Sequence, residues 1–131
     1  MIKNFEKETC LLNAYERDEL LPAIVDELAE RVGYEKRITS TEIIVYKLKP
    51  KKLYATSARI RKIINFIRTT DSVRGLIATS KGYYVANTRE EMEDYIESLK
   101  GREEAIHETR RSLKRQMDRM FPLRKKKAAK C

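Results

Sequence analysis

The sequence predicts an α+β fold, mostly α, on three observations. Between Thr39 and Thr88 a helical pattern, a basic turn, a second helical pattern and a tight hairpin follow one another. In the second helix, near residues 56–70, Ile60, Ile63, Ile64 and Ile67 recur at i, i+3, i+4 and i+7 and form one apolar stripe. From residue 89 onward Met92, Leu99, Ile106, Leu113 and Met120 recur every seven residues, the period of a long helix with one apolar seam.

The hairpin has arms Gly75-Leu76-Ile77-Ala78-Thr79 and Tyr83-Tyr84-Val85-Ala86, rich in β-branched and aromatic residues. Ser80-Lys81-Gly82 joins them, and Gly82 supplies the positive φ that a tight turn needs. Two helices and a hairpin in this order make a winged helix-turn-helix with the hairpin as wing. The run Ala58-Arg59-Ile60-Arg61-Lys62-Ile63-Ile64, then Leu76-Ile77-Ala78-Thr79-Ser80-Lys81-Gly82-Tyr83-Tyr84, then Tyr95-Ile96-Glu97-Ser98-Leu99-Lys100, resembles small winged-helix proteins of phages, prophages and mobile elements. The resemblance spans residues 12–110. It implies that fold and contact with nucleic acid, and no defined cellular task.

Taken in order, residues 1–12 read as an N-terminal arm or short strand tied down by Phe5 and Leu11. Asn13 offers an N-cap, with Glu16 in capping-box position. A first helix follows, with Leu21, Ile24, Val25, Leu28, Ala29 and Val32 at helical spacing and Gly33 as its stop. Pro22 removes an N–H and crowds the preceding turn, which predicts a kink or break around residues 19–21. The exposed face carries Asp18, Asp26, Glu27 and Glu30, which suits scaffold better than a phosphate-facing surface. Residues 35–38 are expected as a short strand against the wing. Thr39 and Glu42 form a second capping-box pair before Ile43-Ile44-Val45-Tyr46-Lys47-Leu48. Propensity there favours a strand, whereas the cap and the following turn favour the helix that we assign. Pro50 ends it. The connection to the next helix is longer than that of a tight helix-turn-helix. One of Tyr83 and Tyr84 is expected in the core and the other at a half-buried edge. Thr88 with Glu91 starts the long helix, 89–121. Its first part is expected to pack on the winged domain, 13–88, and the part beyond Arg102 to project. Pro122 ends the helix and a basic tail, 122–131, follows.

The chain has 131 residues, a single-domain length, and a net charge of +9. The charge is uneven. From Lys36 to Arg89 there are 13 basic residues against Glu42 and Asp71, and from Arg110 to Cys131 there are 10 against Asp118. Positive charge therefore gathers in the proposed reading head and in the tail, as a polyanionic partner requires. No run of apolar residues reaches transmembrane length, and the start lacks the apolar stretch of a signal peptide. The expectation is an intracellular, cytoplasmic protein, of the host cell if phage-encoded or else packaged in a virion, with no membrane partner. Cys10 and Cys131 stand far apart with no second thiol nearby, which argues against a disulfide or a zinc site.

At about 100° per residue, Ala58, Arg61, Lys62, Asn65 and Thr69 fall opposite the isoleucine stripe. Arg59, Arg61, Lys62 and Asn65 are the candidate major-groove contacts, with Arg68 at the edge. Lys47, Lys49, Lys51, Lys52 and the wing-tip Lys81 are the candidate phosphate contacts. Catalytic chemistry is not encoded in any recognisable form. The only histidine, His107, sits in a charged helical stretch, no glycine loop suits phosphate, and no nucleophile has a base nearby. No enzyme, cofactor or metal is expected. The leading expectation is a DNA-binding winged helix acting on double-stranded DNA in transcription regulation or replication. The alternative is a protein-interaction winged helix in a replication, packaging or virion assembly. A third reading is non-specific compaction of nucleic acid by the tail. The seam of residues 92–121 is expected to carry a homodimer or a partner protein, as a coiled coil of weak signature.

Overall fold

The computed structural model describes residues 11–123, so the expectations for Phe5, Cys10, Cys131 and the basic run from Arg124 lie outside the described residues. The described residues are mostly helical with one small antiparallel sheet. It forms two units, Met1–Met92 and Glu93–Cys131.

In the first unit, helix α1 comprises a π-type stretch Glu16–Leu20 and a regular part Leu21–Ala29. Its cap is reciprocal: the Asn13 N–H donates to Glu16 Oε1 at 2.9 Å and the Glu16 N–H to Asn13 Oδ1 at 2.8 Å. The disturbance expected from Pro22 takes the form of one widened turn rather than a break. Pro22 has no N–H to give to the carbonyl one turn back, and the Leu21 N–H reaches Glu16 O, a π-type bond. The helix stops at Ala29, earlier than Gly33 suggests. Val32 leaves the stripe, is 42% exposed, and lies in a bridge to Val85.

Helix α2 begins at Ser40–Glu42, continues as a π-type stretch Ile43–Leu48 and tightens into a 3₁₀ turn Lys49–Lys51. Thr39 and Glu42 form the expected capping box. Helix prevails over the strand propensity because the cap fixes the start and Ile43 and Leu48 bury one face. Pro50 does not end the helix outright, since it sits inside the closing turn. The stop is at Lys52, in left-handed conformation at φ 59°. Its N–H donates to Lys49 O at 2.8 Å and that of Leu53 to Leu48 O at 3.0 Å, a Schellman closure.

Helix α3 is Ser57–Thr69, capped by Thr56 Oγ1, which accepts from the Arg59 N–H at 3.2 Å. Strands β1 (Leu76–Thr79) and β2 (Gly82–Val85) pair with Thr79 opposite Gly82, leaving Ser80-Lys81 as the turn. Neither turn residue has positive φ. That conformation falls on Gly82, at 135°. The expected strand at 35–38 is only partly realised. Residues Tyr34–Lys36 form a 3₁₀ turn, and Ile38 alone bridges Tyr83, with N···O distances of 3.0 and 2.8 Å in the two directions.

The core joins Leu20, Ile24 and Leu28 of α1, Ile43 and Leu48 of α2, and Ile60, Ile63, Ile64 and Ile67 of α3 to Ile38, Val73, Leu76 and Tyr83. Both wing tyrosines are 9% exposed, which corrects the expectation of one half-buried edge residue. Tyr83 joins the core face and lies 3.1 Å from Ser40 Oγ through its hydroxyl. Tyr84, on the other face of the hairpin, meets Tyr34 edge to face with ring centroids 5.5 Å apart.

The second unit is carried by helix α4, Arg89–Met120, which starts in the first unit. Thr88 and Glu91 cap it reciprocally, as expected. No residue of this 32-residue helix is buried. The seven-residue seam is present as a pattern without cover: Ile96, Ile106, Leu113, Met117 and Met120 are each more than half exposed.

Candidate nucleic-acid interface

Helix α3 has two covered sides, where the isoleucine stripe alone implies one. At 100° per residue Lys62 lies roughly 150° from the centre of the stripe, on the side expected to face outward. It is nevertheless buried. Its ammonium lies 2.7 Å from Glu16 Oε1, and Glu16 is only 2% exposed. Arg59 Nε donates to the other oxygen, Glu16 Oε2, at 3.0 Å. The start of α1 therefore packs along the flank of α3 between the stripe and the expected outer face. Lys62 is removed from the set of groove contacts and Arg59 is turned toward the protein, its side chain still 40% exposed. The physical reason is Glu16: its carboxylate, once buried, requires cationic partners, and these two side chains supply them.

Burial is the largest single influence on the Glu16 carboxyl and pushes its pKa up. The hydrogen bond from Lys62, the Asn13 backbone N–H and the charges of Lys62 and Arg59 act together in the other direction, and the net pKa is lowered. Glu16 is held as a carboxylate that accepts from a backbone N–H, an ammonium and a guanidinium at once. Tyr15 adds a further tie. Its hydroxyl accepts from the Tyr54 N–H at 2.9 Å, fixing the extended link between α2 and α3, and the Arg59 guanidinium lies 5.8 Å from the centre of its ring.

The remaining candidates separate by position. Arg61 and Asn65, one turn apart on α3, are both exposed, and Arg68 is half-buried at the edge of the same face. Lys49, Lys51 and Lys52 are exposed around the closing turn of α2, and Lys81 is exposed at the hairpin tip. Lys47 is half-buried and lies 3.6 Å from Glu27, which also accepts from Arg31 Nε at 2.7 Å. Its charge is partly committed within the protein. Tyr46 and Tyr54, 67% and 61% exposed, flank the lysine-rich turn, and sequence reasoning passed over both. The available signal was a run of four lysines, Lys47, Lys49, Lys51 and Lys52, bracketed by Tyr46 and Tyr54.

Among the described residues no group of three or more His, Cys, Asp or Glu side chains gathers at metal-binding range, and no helix is long and apolar enough to cross a membrane. His107 is exposed on α4, with Arg110 Nη2 3.1 Å from its Nδ1.

No family model, curated protein or solved structure matches the chain. The functional reading therefore rests on the geometry of this surface.

Proposed function

We propose that residues 13–88 form a winged helix-turn-helix that binds double-stranded DNA without catalysing a reaction. It would act in transcription regulation or replication, like the small phage and mobile-element proteins it resembles. Helix α3 enters the major groove, and the β1–β2 hairpin is the wing. The observation that carries the reading is the pair Arg61 and Asn65, exposed one turn apart on a helix whose opposite face is fully buried isoleucine. Such an anchored helix can present side chains to base edges without unfolding its own packing. Arginine pairs bidentately with guanine and asparagine with adenine. Lys49, Lys51, Lys52 and Lys81 supply phosphate contacts, Arg68 lines the groove edge, and Lys47 and Arg59 contribute through the part of their side chains that remains in solvent.

The test is selection from random duplexes at physiological salt, followed by a panel of single-base variants of the selected site. Asn65→Ala relaxes preference at one base pair, by about 1–3 kcal/mol of discrimination, while non-specific affinity and thermal stability stay nearly unchanged. Equal discrimination by wild type and Asn65→Ala across the panel sinks base reading by Asn65. Failure of the selection to enrich any sequence sinks the reading as a whole. One observation favours the second reading, docking within a replication, packaging or virion assembly: the uncovered apolar seam of α4.

A further inference from the structure

The seam of α4 is arranged about Ile106. Leu99 and Leu113 stand seven residues to either side of it, Met92 and Met120 fourteen, and Ile96 and Met117 ten and eleven. Apolar character is thus nearly mirrored about the midpoint. Charge is inverted about the same point. Glu103 precedes Ile106 on the seam and Arg110 follows it. Two shallow hollows mark the surface, one bounded by Ile96, Leu99, Lys100, Arg102, Glu103 and Ile106, the other by Ala105, Ile106, Thr109, Arg110 and Leu113. The flanks repeat the inversion. Residues Arg89–Ala105 carry seven acidic residues against three basic, and His107–Met120 carry five basic against two acidic.

We propose that α4 pairs with α4 of a second copy of this chain, antiparallel, with Ile106 at the crossing point. A helix of this length that buries none of its own residues lacks the tertiary packing from which helices in proteins draw most of their stability. A second copy running in the opposite direction covers Leu99 with the Leu113 end of its partner. It also brings Glu103 of each chain toward Arg110 of the other. A parallel pair sets Glu103 against Glu103 and Arg110 against Arg110, and stacks the two acidic halves together. The charge order therefore selects the antiparallel copy. Within the later half of the helix Arg111 meets Glu108 at 3.6 Å, Lys114 meets Asp118 at 3.8 Å, and Arg110 Nη2 lies 3.1 Å from His107 Nδ1, all within about one turn and on an exposed surface. Pairing joins two reading heads in one particle and goes beyond the DNA-binding reading without depending on it.

The experiment is sedimentation equilibrium of the full chain, without DNA, across a wide concentration range. The expected result is a monomer–dimer equilibrium that Ile106→Asp abolishes. Ile106 is 68% exposed, so that change leaves the fold intact, as circular dichroism checks. Glu103→Arg and Arg110→Glu each place like charges at two symmetric contacts and weaken the dimer roughly tenfold. The double variant Glu103→Arg with Arg110→Glu restores it. A monomer at all concentrations overturns the proposal, as does a dimer that survives Ile106→Asp. Single reversals that leave the dimer unchanged overturn the antiparallel arrangement.

Discussion

The buried carboxylate of Glu16 makes a quantitative prediction. Glu16→Gln keeps the shape of the side chain and, with its amide oxygen in the Oε1 position, the acceptor for the Asn13 N–H and Lys62; it removes the charge and turns an NH2 donor toward Arg59. Lys62, 10% exposed at its side chain, then holds an ammonium against a neutral amide. Stranding a buried charge by neutralising its partner costs about 3–5 kcal/mol. The lower end applies, about 3 kcal/mol, because Arg59 is 40% exposed and can turn to water. Lys62→Met keeps the aliphatic stem and leaves Glu16 with Arg59 and its cap, at a cost of about 2 kcal/mol. In the double variant no ammonium is stranded, so its cost falls short of the sum by more than about 1 kcal/mol. Urea denaturation at neutral pH measures all four corners of the cycle. Additivity within about 0.5 kcal/mol refutes the idea that these two groups are coupled. Acid gives a second arm. The Glu16 pKa is lowered on folding, so its contribution is complete above the usual glutamate range and is lost as pH falls through the depressed folded value. Wild type therefore loses stability more steeply than Glu16→Gln below that range, and parallel acid profiles exclude the linkage.

Three other outcomes are expected. Lys81→Ala weakens binding to all duplexes alike and lowers the salt slope by about one unit, and an unchanged slope removes the hairpin tip from the interface. Ile64→Ala, at a core position 2% exposed, destabilises the first unit by about 2–5 kcal/mol in thermal or urea unfolding, and a loss under about 1 kcal/mol means the site collapses around the gap. Gly82→Ala places a Cβ 3.0 Å from the Ile38 carbonyl oxygen at φ 135°, so both strain and backbone displacement add, costing about 1–3 kcal/mol, and a neutral result shows that the Ile38 bridge is free to move away.

The parts of the fold that were legible in the sequence are those fixed by near neighbours. All three capping boxes, at Asn13, Thr39 and Thr88, form as their spacing requires, because donor and acceptor lie three residues apart. The isoleucine stripe is buried because its period matches the helix. Neighbour chemistry also explains the partial misses. A capping residue shows where a helix starts but not where it stops, and α1 stops before Gly33 because residues 31–33 are taken by β2, with Gly33 N donating to Val85 O at 2.8 Å. Pro22 and Pro50 are absorbed by a π-type turn and a 3₁₀ turn, in which neighbouring N–H groups bond at a changed spacing, Leu21 N–H to Glu16 O and Lys52 N–H to Lys49 O. The tyrosine pair shows how a second covering layer escapes a strand pattern. Alternation sends one ring to each face, and only the Tyr34 segment, fifty residues away, decides that the second face is covered too.

The candidate site was harder to read because helical periodicity records one buried face and is silent on a second. Lys62 stands opposite the isoleucines, where a lone-stripe argument puts solvent, and the residue that covers it is 46 positions earlier. Glu16 already had a local role as the capping partner of Asn13, and that role accounts for only one of its oxygens. A carboxylate oxygen can accept from more than one donor: Oε1 takes both the Asn13 N–H and the Lys62 ammonium while Oε2 takes Arg59, so a satisfied motif does not exhaust a residue's bonding. For the proposed DNA recognition the consequence is a narrower surface than composition implies. A face of α3 credited with Arg59, Arg61, Lys62 and Asn65 reduces to Arg61 and Asn65 with Arg68 beside them, while Lys62 and Arg59 hold the helix to α1 and only the exposed part of Arg59 remains for a ligand. On the proposed reading the two groups of side chains are expected to respond oppositely to substitution: changes at 61 and 65 alter DNA discrimination with the fold intact, and changes at 62 act on stability first. Any loss of DNA binding in Lys62→Met should vanish when binding is corrected for the folded fraction, and a loss that persists after that correction would return Lys62 to the interface.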